Sequence, residues 1–167
     1  MKNQFAIIRM QKQLIQFISV LLITVIAGCT QSNERTEFEL FLDQLDQTIN
    51  QFVNGDDSDF KQAWSHTENI TVAGGFGGQI VQGWETIGPR LSLVSASYAN
   101  TQYSTDRIVS QSAGDFGYVV QHEYFHRPGE SEPYQQYRTT MLFRIESGEW
   151  KLFHRHADSQ VVFQGRH

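Results

Sequence analysis

A chain of 167 residues, 40% of them hydrophobic, is long enough for one domain with a sizeable core and short for two. Its 13 basic against 18 acidic residues give a net charge of -5, with no basic run that could neutralise a series of phosphates, which argues against nucleic acid as a partner. The single cysteine excludes a disulfide within the chain.

The amino terminus reads as a secretory signal. Lys2, Arg9 and Lys12 precede an apolar run from Leu14 to Ala27, which is shorter than the roughly 20 residues a membrane span needs. Ile26-Ala27-Gly28-Cys29 resembles the lipobox of bacterial lipoproteins. That resemblance implies a signal peptide over residues 1–28, a lipidated Cys29 as first residue of the mature chain, and a short polar tether over 29–35. By the sorting rule of Gram-negative lipoproteins, Thr30 after the cysteine implies the outer membrane, so the expected location is the cell envelope, lipid-anchored on the periplasmic side. A start at Met10 would leave a more compact signal. Nothing after Cys29 is apolar for long enough to span a membrane.

The domain is expected over residues 36–167. Phe38, Phe41, Leu42, Leu45, Ile49, Phe52 and Val53 recur at three- and four-residue steps and predict an amphipathic helix from Thr36 to Val53. Asn54-Gly55-Asp56-Asp57 ends it, and Asp57 or Ser58 is placed to cap a second short helix carrying Phe60, Ala63 and Trp64. Asn69 to Ala73 reads as a strand and Gly74 to Gly78 as a turn. Gln79 to Gly83 reads as a second strand, so these glycines do not open directly into a helix as a phosphate loop requires. Trp84 to Tyr98 has helical spacing, with Pro89 taken as a first-turn proline. Four strands follow: Thr101 to Ser112, Phe116 to His126, Tyr134 to Glu146, and Glu149 to Phe163. Helices first and a meander last predict an α+β fold.

The last two strands carry the candidate chemistry. With a turn at Ser147-Gly148 and Glu146 opposite Glu149, one face holds Tyr137, Thr139, Met141, Phe143 and Ile145 together with Trp150, Leu152, His154, His156 and Asp158. That face is apolar near the turn and polar far from it, as a core running into a pocket mouth would be. His156 and Asp158 form a candidate acid-base pair, an imidazole oriented by a carboxylate. Arg138 is a candidate anion binder but falls on the opposite face, unless a bulge between Arg138 and Met141 turns it inward. His154, His122 and Tyr124 are candidate pocket residues, and Trp64 a candidate pocket wall. A metal centre would need His154 and His156 plus further ligands that the sequence does not fix, so no metal is assigned.

Phe60-Lys61-Gln62-Ala63-Trp64-Ser65-His66, the glycine-rich hairpin with Gly83-Trp84, and Tyr137-Arg138-Thr139-Thr140 followed by Gly148 through His156 resemble the SnoaL-like branch of the nuclear transport factor 2-like superfamily. The resemblance covers essentially Thr36 to Phe163. It implies a cone-shaped, curved antiparallel sheet wrapped around the N-terminal helices, the cystatin-like roll. Such a fold hosts polyketide cyclases, ketosteroid isomerase, scytalone dehydratase and a kinase association domain, so function has to be argued from the site. Two functions fit. One is a cofactor-independent isomerase, cyclase or dehydratase acting on an apolar carbonyl or carboxylate ligand through His156, Asp158 and Arg138. The other is a noncatalytic binding module of the envelope, dimeric through the outer sheet face that carries Leu142 and Phe153.

Overall fold

The computed structural model describes residues 36–75 and 78–159. The signal segment with Cys29 and Thr30, the pair Phe76-Gly77, and Val161 and Phe163 lie outside the described residues.

Helix α1, Glu37–Phe52, begins at a capping box: Thr36 Oγ1 accepts from the Glu39 amide at 3.2 Å, and the Glu39 carboxylate accepts from the Thr36 amide at 2.9 Å. Two of the orphan amides at the helix start are thereby satisfied. Its expected stripe is buried, with Phe38, Leu42, Leu45, Ile49 and Phe52 all inside. Each such side chain contributes about 1.5–3 kcal/mol of apolar burial. Helix α2, Ser58–Gln62, starts after Asp57, but Asp57 makes no side-chain cap. Its carboxylate instead accepts from the Ser92 hydroxyl and lies 3.5 Å from Lys61 Nζ, while Asp56 receives the Ser58 amide at 3.2 Å. Helix α3, Trp84–Ser97, contains Pro89 within its second turn rather than its first, so one backbone hydrogen bond is forfeited there.

The strands are β1 (Thr71–Ala73), β2 (Val81–Gln82), β3 (Gln102–Ala113), β4 (Phe116–His126), β5 (Gln135–Glu146) and β6 (Glu149–Ser159). They form one sheet in the order β2-β1-β6-β5-β4-β3. All pairings are antiparallel except β1 with β6, which is parallel. The chain before β1 also docks on β6: the Leu152 amide donates to the Ala63 carbonyl at 2.8 Å, and the Ser65 amide to the Leu152 carbonyl at 2.9 Å. This small parallel attachment is absent from the meander that alternation alone predicts. One face of the sheet packs on α1, with the Phe38 ring centred 5.4 Å from Phe143 and 4.8 Å from Trp150.

The register decides where the functional side chains go. At the turn, Ser147 and Gly148 both have positive φ, 52° and 85°, as a two-residue hairpin turn requires, and Glu146 pairs with Glu149 as expected. Pairing continues to Phe143 opposite Leu152, and then Leu142 faces His154, which leaves Phe153 as an extra residue. The bulge therefore sits in β6 and not in β5 between Arg138 and Met141. A one-residue slip turns every later side chain to the other face. The inner face now carries Tyr137, Thr139 and Met141 opposite Ser159, Ala157 and Arg155, while Arg138, Thr140 and Leu142 lie opposite Asp158, His156 and His154 on the outer face.

Candidate functional site

A cavity opens between the inner face of the sheet and the three helices. Its walls are apolar, with Phe52, Phe60, Trp64, Ile87, Leu91 and Phe125 among them. A water-sized centre can move through about 120 Å³ of it. A single water needs roughly 10–15 Å³ by that measure, so there is room for a small organic molecule. Gly74 and Gly75 close one side. A Cβ on Gly75 would lie 2.2 Å from the Tyr137 ring, so only glycine lets the backbone approach the cavity wall there, and the Ser159 hydroxyl fixes it by donating to the Gly75 carbonyl at 2.8 Å.

The cavity is not wholly apolar. Alternation along β4 points Val119, Gln121, Glu123 and Phe125 inward, and all four are buried. Glu123, only 1% exposed, accepts a short hydrogen bond from Arg155 Nη2, and the two form an ion pair. Tyr103 also hydrogen-bonds Glu123, and Gln121 Nε2 stands 3.4 Å from Glu123 Oε1 and 3.3 Å from the Tyr103 hydroxyl. A buried carboxylate with three donors is held as an acceptor with its lone pairs in use. Burial works against the Arg155 charge, but the adjacent Glu123 carboxylate outweighs it and holds the guanidinium's pKa above its usual value.

Two further tyrosines line the cavity, Tyr98 and Tyr137, and their hydroxyls hydrogen-bond each other. Burial pushes both phenols above the ordinary tyrosine value, Tyr137 far enough that it stays protonated under any physiological condition. Tyr103 is displaced upward more strongly, first by burial and then by the Glu123 and Asp46 charges. Behind Tyr103, Arg107 clamps α1 to β3, donating to Asp43 and Asp46 at 2.6 Å each, and the Thr105 hydroxyl adds a 3.1 Å bond to Asp46. The tyrosines are therefore hydrogen-bond donors rather than acids that lose a proton.

Of the residues singled out from sequence, Trp64 lines this cavity, fully buried, and its indole N–H has no partner among the described residues. The others do not line it. Arg138 and Asp158 meet on the outer face in a two-pronged salt bridge, 2.9 and 2.8 Å, with side chains 56% and 46% exposed. His156 is exposed on that face and is not hydrogen-bonded to Asp158, whose oxygens receive Arg138. His154 is half-buried beside the edge, its Nδ1 2.7 Å from the Thr71 hydroxyl, and burial with the neighbouring His156 lowers its pKa. His122 and Tyr124 lie on the same outer face, half-buried, with ring centroids 6.2 Å apart. The expectation that His156, Asp158 and Arg138 converge in one cavity is thus corrected: the Phe153 bulge carries the first two out and Arg155 in. Among the described residues, no cluster of histidine, cysteine and acidic groups could hold a metal ion.

The sequence signal for the true cavity groups was partly present. Gln121 and Glu123 are polar interruptions on the apolar side of a strongly alternating strand, and such residues are either paired inside or functional. Arg155 carried no such mark, because its face depends on the bulge.

Residues 42–162 match the family described as the SnoaL-like domain. No curated protein matches the sequence. Among solved structures, a cystatin-like domain of unknown function from Nostoc punctiforme PCC 73102 is 11% identical, with a TM-score of 0.63 over 78% of this chain and 82% of that one. An NTF2-like protein of unknown function from Pseudomonas putida KT2440 is 12% identical, with a TM-score of 0.62 over 77% and 87%. A provisionally named dehydratase of the NTF2-like family from Streptomyces avermitilis is 17% identical, with a TM-score of 0.56 over 72% and 94%. These likenesses share the fold.

Proposed function

Because the chain belongs to the SnoaL-like domain family, we propose that it is a small-molecule protein whose cavity takes up an apolar compound by an oxygen-bearing end. The observation that carries this reading is an apolar cavity whose polar groups are mostly hydrogen-bond donors: the Tyr98 hydroxyl, which accepts from Tyr137 and keeps its own proton to give, Arg155 and the Trp64 indole N–H. A ligand carbonyl is the complementary partner. Apolar walls supply affinity and the few polar groups fix orientation. The same donors would stabilise charge developing on that oxygen, and Glu123 is the carboxylate nearest such chemistry, so a cofactor-independent isomerase, cyclase or dehydratase is the catalytic form of the proposal. A noncatalytic binding module is favoured by a specific observation: Glu123 already receives Arg155, Tyr103 and Gln121, which leaves it little capacity as a base.

The signal pattern ending at Cys29 supports an envelope lipoprotein held on the periplasmic side. A homodimer through the outer sheet face is supported by Phe116, 45% exposed, whose ring centroid lies 6.1 Å from that of Phe153 beside Leu142.

Thermal unfolding with 2-octanone tests the pocket. A ketone at a hundred times its Kd stabilises the native state by about 2.7 kcal/mol. Tyr98→Phe should weaken the shift, and His156→Ala should leave it intact. Solvent deuterium appearing at the carbon beside the carbonyl, followed by NMR, marks turnover. Binding without exchange marks the module, and no shift with any apolar ketone or carboxylate overturns the proposal.

A further inference from the structure

We infer that the ligand is an anion, an apolar carboxylate whose head group is bound by Arg90 at the rim of the cavity. This rests on the pocket reading above and narrows it. Arg90, on α3, lines the cavity while remaining exposed. Its Nη2 lies 3.5 Å from the point a Cβ on Gly74 would occupy, which is ordinary contact distance and places the guanidinium against the Gly74 side of the opening.

The charge balance of the cavity sets this arginine apart from an ordinary surface one. Among the described residues, three charged side chains line the cavity, Arg90, Glu123 and Arg155. Glu123 and Arg155 neutralise each other. Among the described residues, no carboxylate pairs with Arg90, so the cavity carries one unmatched positive charge in a chain whose net charge is -5. An apolar wall beside that charge weakens screening by water and strengthens its pull on an anion.

The hydrogen-bond inventory leaves the anion to Arg90: among the described residues the one carboxylate lining the cavity, Glu123, already receives Arg155, Tyr103 and Gln121, so it does not compete for the Arg90 guanidinium. A guanidinium fork matches the two oxygens of a carboxylate. A doubly charged phosphate would find only one charge to meet it. The class indicated is therefore a monoanion with an apolar body.

Octanoate and its neutral counterpart octanamide, titrated calorimetrically into the full chain, test this. Octanoate should bind at least tenfold more tightly than octanamide. In Arg90→Gln the two should bind within about twofold of each other, with octanamide affinity unchanged, and Arg90→Lys should restore part of the preference, because it keeps the charge and loses the fork. Equal binding of the two to the wild-type chain, or a preference that survives Arg90→Gln, overturns the inference while leaving the pocket reading in place. Failure of both compounds to bind overturns the two together. Arg90 is exposed, so an unchanged melting temperature in the unliganded variant is the control that the fold is intact.

Discussion

Glu123→Gln is the most informative single change in this protein. It conserves shape and removes the one negative charge that the described residues place in the cavity, leaving Arg155 without its counterion. Glu123 is 1% exposed and the Arg155 side chain 18%, so water reaches the orphaned guanidinium poorly. Breaking such a pair from one side costs about 3–5 kcal/mol, most of it the charge left behind. For a domain of this size about 4 °C of Tm accompanies each kcal/mol, so the melting temperature should fall by about 12 °C or more. The double variant Glu123→Gln, Arg155→Met removes both charges and should recover most of the loss, because a well-packed apolar replacement of a buried pair is often neutral. Urea denaturation of wild type, both single variants and the double variant closes the cycle. Arg138→Ala is the matched control: its pair with Asp158 is exposed and should leave Tm unchanged within error. A Glu123→Gln variant that melts with the wild type, or a double variant that loses the sum of the two single effects, would refute the inward placement of Arg155 and with it the cavity floor.

Gly75→Ala places a methyl 2.2 Å from the Tyr137 ring, and overpacking of that kind should cost about 1–3 kcal/mol in urea denaturation and weaken ligand uptake. Asp46 has a pKa raised above its ordinary 3.8, chiefly by burial, with Arg107 opposing. The folded state therefore holds the Asp46 proton more tightly than the unfolded chain does, so the stability linked to it is present below pH 3.8 and lost as pH rises through the raised value. The stability of wild type minus that of Asp46→Asn should decline with rising pH over that window, and a difference that grows would contradict the assignment. Cys29→Ser should release the protein from membrane fractions or leave an unprocessed precursor, and unchanged fractionation would exclude the lipid anchor. Light scattering should give a dimer mass at micromolar concentration, and Phe116→Asp should shift it toward monomer if the outer face is the contact.

The helices, the hairpin turn and the fold class were legible because they rest on local periodicity: the Phe38 to Phe52 stripe repeats at helical spacing, and Ser147-Gly148 has the composition that its backbone needs. The site was less legible because it hangs on one residue. Nothing local distinguishes Phe153, the residue left out of the ladder, from Leu152, which stays in it, since both are apolar and suited to a strand. Reading through the bulge exchanged the faces of Arg155 and His156, so the acid-base pair was sought on the wrong side. Glu123 was accessible to a stricter reading, because its neighbours Val119, Gln121 and Phe125 in the same phase fix its direction without reference to the next strand. The parallel contact of β1 with β6 joins residues 83 apart in the chain, as in Thr71 with His154, and no local pattern encodes it.

That contact also sets an order of events in folding. Strand β1, three residues long, has β2 and β6 as its neighbours in the sheet, and a two-stranded ribbon this short has no independent stability. It becomes ordered only after the last strand has been synthesised and has docked. The β3-β4-β5-β6 meander is built from sequential neighbours and closes short loops, whereas bringing Thr71 to His154 closes a long one. The meander and α1 can therefore condense first, while the Gly74-Gly75 wall is added last. The part of the molecule that seals the cavity is thus also the part with the least kinetic priority, and the first expected to open by local fluctuation in the native state. Amide exchange at Val72 and Ala73 should accordingly be faster than at Val119 or Met141, and ligand entry need not wait for the rest of the domain to move.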